Sequence, residues 1–160
     1  MTGGSTNDDT SEPTDGVGDW ADNPYAAKMV EYTPYAVALG MTFVSSSAGR
    51  GEILLPWRAD LVGQDGTDIL APGVLTALID HTCGLAIMAS FGFEAAPATL
   101  DLRIDHMRPA APRASVTCSA HVYRATRTIA FLRAEAWDVT RDDPVAAAQA
   151  AFTLNRRSVK

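Results

Sequence analysis

The first residue of this chain that could do chemistry is a carboxylate inside an apolar run. Asp80 stands in Ala71–Phe91, APGVLTALIDHTCGLAIMASF, among Leu78, Ile79 and Leu85. An acid in such surroundings is almost never fully buried without a partner. Screened from competing hydration, its carboxylate can take a proton from water or attack a carbonyl itself. A structural role for the same acid is the alternative. His81 follows it directly, so it points about 100° away round a helix. It reads as a packed or interface histidine rather than as a proton partner of Asp80. Cys83 has no visible base to activate it and reads, with Cys118, as a buried structural thiol. His106 and His121 fall in strand-like runs without metal-ligand spacing. No metal and no cofactor are expected.

The elements that must position Asp80 follow from local pattern. Residues 24–39 predict a short helix broken near Pro34. Residues 41–47 and 51–57 predict strands joined by Ala48-Gly49-Arg50, and a loop follows over Gly63–Asp68. The Asp80 run has Pro72 near its start and Gly92 just past its end, both suited to helix boundaries. Its apolar residues lie nearly all round, which predicts a helix buried in its own domain. A membrane span is the competing reading, and Asp80, His81 and the amphipathic strands on either side argue against it. Residues 98–108, 115–124, 128–139 and 145–154 read as four long strands in an antiparallel meander. The sum is an α+β domain, with a sheet of about five to six strands wrapped round a long central helix. One copy leaves a sheet edge and a concave surface to cover, so a homo-oligomer is predicted.

Charge divides the chain. The formal net charge of the 160 residues is −6. The first 19 residues hold five acids and no base, and composition predicts that they are a disordered acidic tail. Residues 20–160 then form one domain with 14 acids and 13 bases, near neutral. From Arg103 onward there are ten bases and five acids. The balance argues against nucleic acid as a partner. The two cysteines, without a disulfide framework, and the polar, acidic start predict a cytoplasmic protein.

Two phrases, LAPGVLTALIDHTCGLA and ATLDLRIDHMRPA, in this order of elements, resemble the PaaI-type acyl-CoA thioesterases of the hotdog fold. The resemblance covers roughly residues 35–155 and implies hydrolysis of a fatty-acyl or aryl-acyl thioester of coenzyme A by a homodimer or homotetramer. It makes Asp80 the base or nucleophile, and Thr99 the residue that orients water or the attacking group. The helix N-terminus would polarise the thioester carbonyl. In the family this helix opens His-Gly-Gly; here it opens Ala71-Pro72-Gly73. Pro72 therefore replaces the glycine whose N–H is nearest the thioester oxygen, and proline has no N–H. Either Gly73 takes over one position on, or the chain binds acyl-CoA without hydrolysing it. Gln64 is the nearest counterpart of a family asparagine that reaches across the dimer. Pro72 and His81 would border the substrate. Arg108, Arg113 and Arg127 are the candidate partners of the coenzyme A phosphates, because guanidinium forks suit phosphate oxygens. Arg124, Arg156 and Arg157 share that chemistry. Hotdog dehydratases, which use an Asp–His pair, rank last, since adjacent Asp80 and His81 diverge on a helix.

Overall fold

The structure, a computed structural model, describes residues 24–92 and 95–154. The predicted tail and Arg156 and Arg157 lie outside them. Two short helices come first, α1 (Pro24–Tyr32) and α2 (Pro34–Leu39). Pro34 opens α2, where its missing N–H is not needed. Gly40 closes α2 at φ 74°, a left-handed conformation that favours glycine, and donates its N–H to Val37 O. Strands β1 (Thr42–Ser47) and β2 (Arg50–Leu55) form a hairpin, and Pro56 stops β2 short of the expected residue 57. The long helix α3 (Pro72–Phe91) follows, then β3 (Ala98–His106), β4 (Val116–Ala125), β5 (Ile129–Trp137) and β6 (Ala146–Thr153).

All six strands pair antiparallel in one sheet, in the order β1-β2-β4-β5-β6-β3. This corrects the expected meander. After α3 the chain enters the sheet at its far edge as β3, pairs with β6, and returns to β2 as β4. A helix lying across the sheet delivers the chain to the opposite edge, which periodicity within each strand does not encode.

Side-chain size explains how the helix seats. The helix-facing side of β4, β5 and β6 is lined by Cys118, Ala120, Ala134, Ala136, Ala146, Ala148 and Ala150, all buried. Beside them, a Cβ on Gly51 would lie 2.8 Å from Leu85 Cγ and 3.0 Å from Ala86 N. Small residues let α3 approach the strands closely, and Leu78, Ile79, Leu85 and Ile87 fill the remaining space at full burial. Burial is complete only toward the C-terminal part of α3. Pro72, Gly73 and Thr76 are exposed, so the expectation of a helix buried on all sides holds for residues 82–87 and fails for the first turns. Among the described residues α3 alone is long and apolar enough to cross a membrane, and it is the core helix of the sheet.

Candidate active site

The central contact joins α3 to the edge strand. Thr99 Oγ1 donates a hydrogen bond to Asp80 Oδ1 at 2.7 Å. Two local features produce it. The β3–β6 register slips between Thr99, opposite Phe152, and Asp101, opposite Ala151. The extra residue, Leu100, is left 56% exposed, and the bulge keeps Thr99 on the helix side of the sheet. On the helix, Asp80 lies seven residues after Gly73, two turns on and on the same face. That face also carries exposed Thr76 and half-buried Ala77. Asp80 itself is half-buried. The arrangement is a carboxylate with one oxygen tied to a hydroxyl, standing on an open helical stripe that begins at the helix N-terminus.

The N-terminus is bare. Ala71 caps α3 in an extended conformation without a side-chain bond, and Pro72 occupies the first turn. Gly73 is exposed, and a Cβ on it would meet nothing within 4 Å. At the second helical position its N–H has no acceptor within the helix. It is the first donor that a ligand oxygen could reach.

The loop leading to that N-terminus is held by a clamp that sequence reasoning missed. Asp68 and Arg113 both adopt positive φ, 55° and 60°, unusual for non-glycine residues. The Asp68 carbonyl accepts from Arg113 N at 2.9 Å and from Trp57 Nε1 at 2.8 Å. The Asp68 carboxylate accepts from Arg113 Nε at 2.8 Å, and the guanidinium lies 5.7 Å from the Trp57 ring centre. Further in, Ala71 N donates to Leu61 O and Gly63 N to Ile69 O. Residues 57, 68 and 113 are too far apart in sequence for any spacing rule to have joined them.

The remaining candidates separate. Gln64 is exposed at the loop tip, and its carbonyl accepts from Thr67. Arg127 is exposed in the β4–β5 turn. Arg113 keeps its exposed fork with Nε engaged. Arg108 is different. Its Nη1 and Nη2 donate to both oxygens of Asp138, at 2.9 and 2.6 Å, and to the carbonyls of Pro109 and Asp143. Its Nε faces the Asp143 carboxylate at 3.0 Å, close enough for an ion pair but not aligned as a hydrogen bond. This fork is consumed inside the chain, which removes Arg108 from the residues open to a phosphate. Asp138, 1% exposed, also accepts from the N–H groups of Ala111 and Val139. Arg108 beside it holds its carboxyl well below the usual range, and the pair raises the Arg108 guanidinium in turn.

His81 is half-buried, its Nε2 without a hydrogen-bond partner among the described residues, and burial holds its pKa below the ordinary value. Cys83 and Cys118 are free and buried. Burial pushes the Cys83 thiol well up and the Cys118 thiol up to about 12, so neither is a ready nucleophile. Among the described residues no cluster of His, Cys, Asp and Glu could hold a metal ion.

Comparison with known proteins places this geometry. A family model described as the thioesterase superfamily matches residues 68–145, from Asp68 of the clamp through α3, β3, β4 and β5 to the residue before β6. The chain belongs to the thioesterase superfamily. Its members of known structure include proteins with the same hotdog fold, a sheet curled round one long helix. A conserved protein of Pseudomonas aeruginosa is 31% identical, with a TM-score of 0.71 over 79% of this chain and 97% of that one. A second P. aeruginosa protein is 29% identical, with a TM-score of 0.73 over 80% and 95%. The PaaI protein of the phenylacetic acid degradation operon of E. coli is 21% identical and shares the fold, with a TM-score of 0.70 over 81% and 89%. No curated protein sequence matches the chain. In this thioesterase-superfamily chain the bulged Thr99, Asp80 and the start of α3 all fall inside the matched region.

Proposed function

We propose that this chain hydrolyses an acyl-CoA thioester. Asp80 removes a proton from the attacking water, or attacks the carbonyl itself, and Thr99 holds the carboxylate in place. In the water route the proton passes to Asp80 as the new C–O bond forms. The oxyanion develops against the Gly73 N–H and the positive end of α3. Collapse breaks the C–S bond, and the proton returns to the departing thiolate. The observation that carries the reading is the 2.7 Å bond from Thr99 to Asp80 on an open helical stripe. The stripe borders the free edge of β3, where Leu100 and Met107 are 56% and 60% exposed. A second copy pairing along that edge would cover both residues and wall the site, so the working unit is a homodimer or a dimer of dimers.

Pro72 favours one other reading, an acyl-thioester binding module without turnover. Loss of a single oxyanion donor costs about 2.7–4 kcal/mol in other enzymes, and this helix start lacks one.

The test is thiol release from a panel of aryl and fatty acyl-CoAs by wild type, Asp80→Asn and Asp80→Ala. Hydrolysis of at least one substrate, abolished in both variants, is the expected result. Full activity in the Asp80 variants overturns the mechanism. Binding by calorimetry without product selects the second reading. Ala71→His with Pro72→Gly then raises turnover strongly if the missing donor is the cause.

A further inference from the structure

Three neighbouring strands set basic side chains next to one another on the face of the sheet away from α3. Arg50 on β2 is registered with His121 on β4, and His121 with Arg133 on β5. The two arginines are about 10 Å apart across the histidine, and like charges on paired strands destabilise a sheet. All three border a groove of about 300 Å³, the size of a site for one small molecule. The carboxylates of the groove do not relieve the arginines. Asp105 pairs with Arg103 at 3.2 Å, and Glu135 pairs with Arg141 at 3.4 Å. Glu52, opposite Ser119 on β2, does not line the groove. Arg50 and Arg133 form no ion pair among the described residues. The Arg133 guanidinium lies over the Tyr123 ring, 4.9 Å from its centre, which steadies the fork beside the groove. Ser119, 8% exposed, and Gln149 line the same groove, and neither side chain has a hydrogen-bond partner among the described residues.

We propose that this groove binds a phosphoryl group, carried by free phosphate or by a small phosphate ester. Arg50 and Arg133 reach its oxygens from opposite sides, and Ser119, His121 and Gln149 donate from between them. Guanidinium forks match phosphate oxygens two at a time. Donors come from β2, β4, β5 and β6, more directions than the two oxygens of a carboxylate serve, and a tetrahedral oxyanion answers all of them. The bound anion also supplies the counter-charge that the paired carboxylates of the groove do not. His121 couples to it. Burial first, then Arg50 and Arg133, holds the His121 pKa below its ordinary value, with Arg141 adding to the effect and Glu135 opposing it. A dianion between the two arginines favours the imidazolium, so binding takes up a proton and strengthens as pH falls. The groove lies across the sheet from Asp80, and its ligand does not depend on the hydrolysis proposed there.

The experiment is calorimetry on the full-length chain at constant ionic strength, with inorganic phosphate, sulfate, adenosine monophosphate and acetate as probes. Saturable binding of phosphate and sulfate is expected, with acetate about tenfold weaker or worse, since it offers two oxygens and one charge. Arg50→Gln and Arg133→Gln should each weaken phosphate by about tenfold or more, and Arg133→Lys should weaken it less than Arg133→Gln. Thermal melts check that the variants are folded. Sulfate stays a dianion, so its affinity isolates the histidine. It should rise between about pH 7.5 and pH 5.5, and His121→Asn should remove the rise. Adenosine monophosphate binding more tightly than phosphate identifies an ester as the ligand, and affinity no better than phosphate identifies the free ion. Absence of saturation with phosphate, sulfate and adenosine monophosphate overturns the proposal. So does acetate binding as tightly as phosphate, or arginine variants that bind as wild type does.

Discussion

Thr99 and Asp80 sit 19 residues apart on different elements, and the hydroxyl of one donates to the carboxylate of the other at 2.7 Å. The bond leaves Asp80 Oδ2 with no protein partner among the described residues. A carboxylate anchored through one oxygen presents the other in a fixed direction, as a base or nucleophile requires.

Thr99→Val deletes that anchor while keeping the branched shape. A hydrogen bond to a charged group is worth about 1.5–3 kcal/mol, so turnover should fall by about tenfold or more, with KM little changed. Thr99→Ser should restore most of it. Steady-state thioester kinetics read both, and full turnover in Thr99→Val would remove Thr99 from the mechanism.

Arg108 and Asp138 make a stability prediction rather than a catalytic one. Arg108→Ala leaves a buried carboxylate without its counter-ion, which is strongly destabilising. Tm should drop by roughly 5 °C or more, while KM for acyl-CoA stays put. Asp138 has its pKa lowered in the folded state, so the unfolded chain takes up a proton first. Its contribution is complete above the unfolded value of about 3.9 and is lost as pH falls further. Urea midpoints at pH 6 and pH 3.5 should differ less in Asp138→Asn than in wild type.

His81 and His121 act at higher pH. Burial is the main cause lowering both, and Arg50 and Arg133 add to it at His121. A histidine lowered in the folded state is protonated first in the unfolded one, so stability falls as pH drops below about 6.5. Between pH 7.5 and 5.5 the urea midpoint should decline, and His81→Gln should flatten the decline. An unchanged slope in that variant would show that His81 does not titrate with unfolding.

Two glycines, Gly51 beneath α3 and Gly84 within it, should respond differently to alanine. At Gly51 the new Cβ meets Leu85 Cγ at 2.8 Å and backbone Ala86 N at 3.0 Å. The helix must shift, and overpacking of this kind costs about 1–3 kcal/mol. At Gly84 the only close neighbour is the Met29 methyl at 2.9 Å, the free end of a flexible side chain. Gly84→Ala should cost clearly less than Gly51→Ala in denaturant melts, and the reverse order would contradict the seating of α3.

Much of the fold was legible because it is local. The boundaries of α3 follow from Pro72 and Gly92, and the strands from period-two alternation, such as Ile129 to Trp137 against Ala130 to Ala136. Asp80 stood out by its apolar neighbours, and Thr99 entered through family resemblance. The clamp of Trp57, Asp68 and Arg113 was not legible. Nor was the capture of Arg108 by Asp138, 30 residues away.

Residue type and spacing determined which groups could do chemistry and which elements carry them, because periodicity and capping act over a few residues. Tertiary structure decided which of them meet. The path of β3 to the far edge, the bulge at Leu100 and the close seating of α3 on small residues bring Thr99 to Asp80. Those are distances between residues remote in sequence, and they are set when the whole sheet closes on its helix.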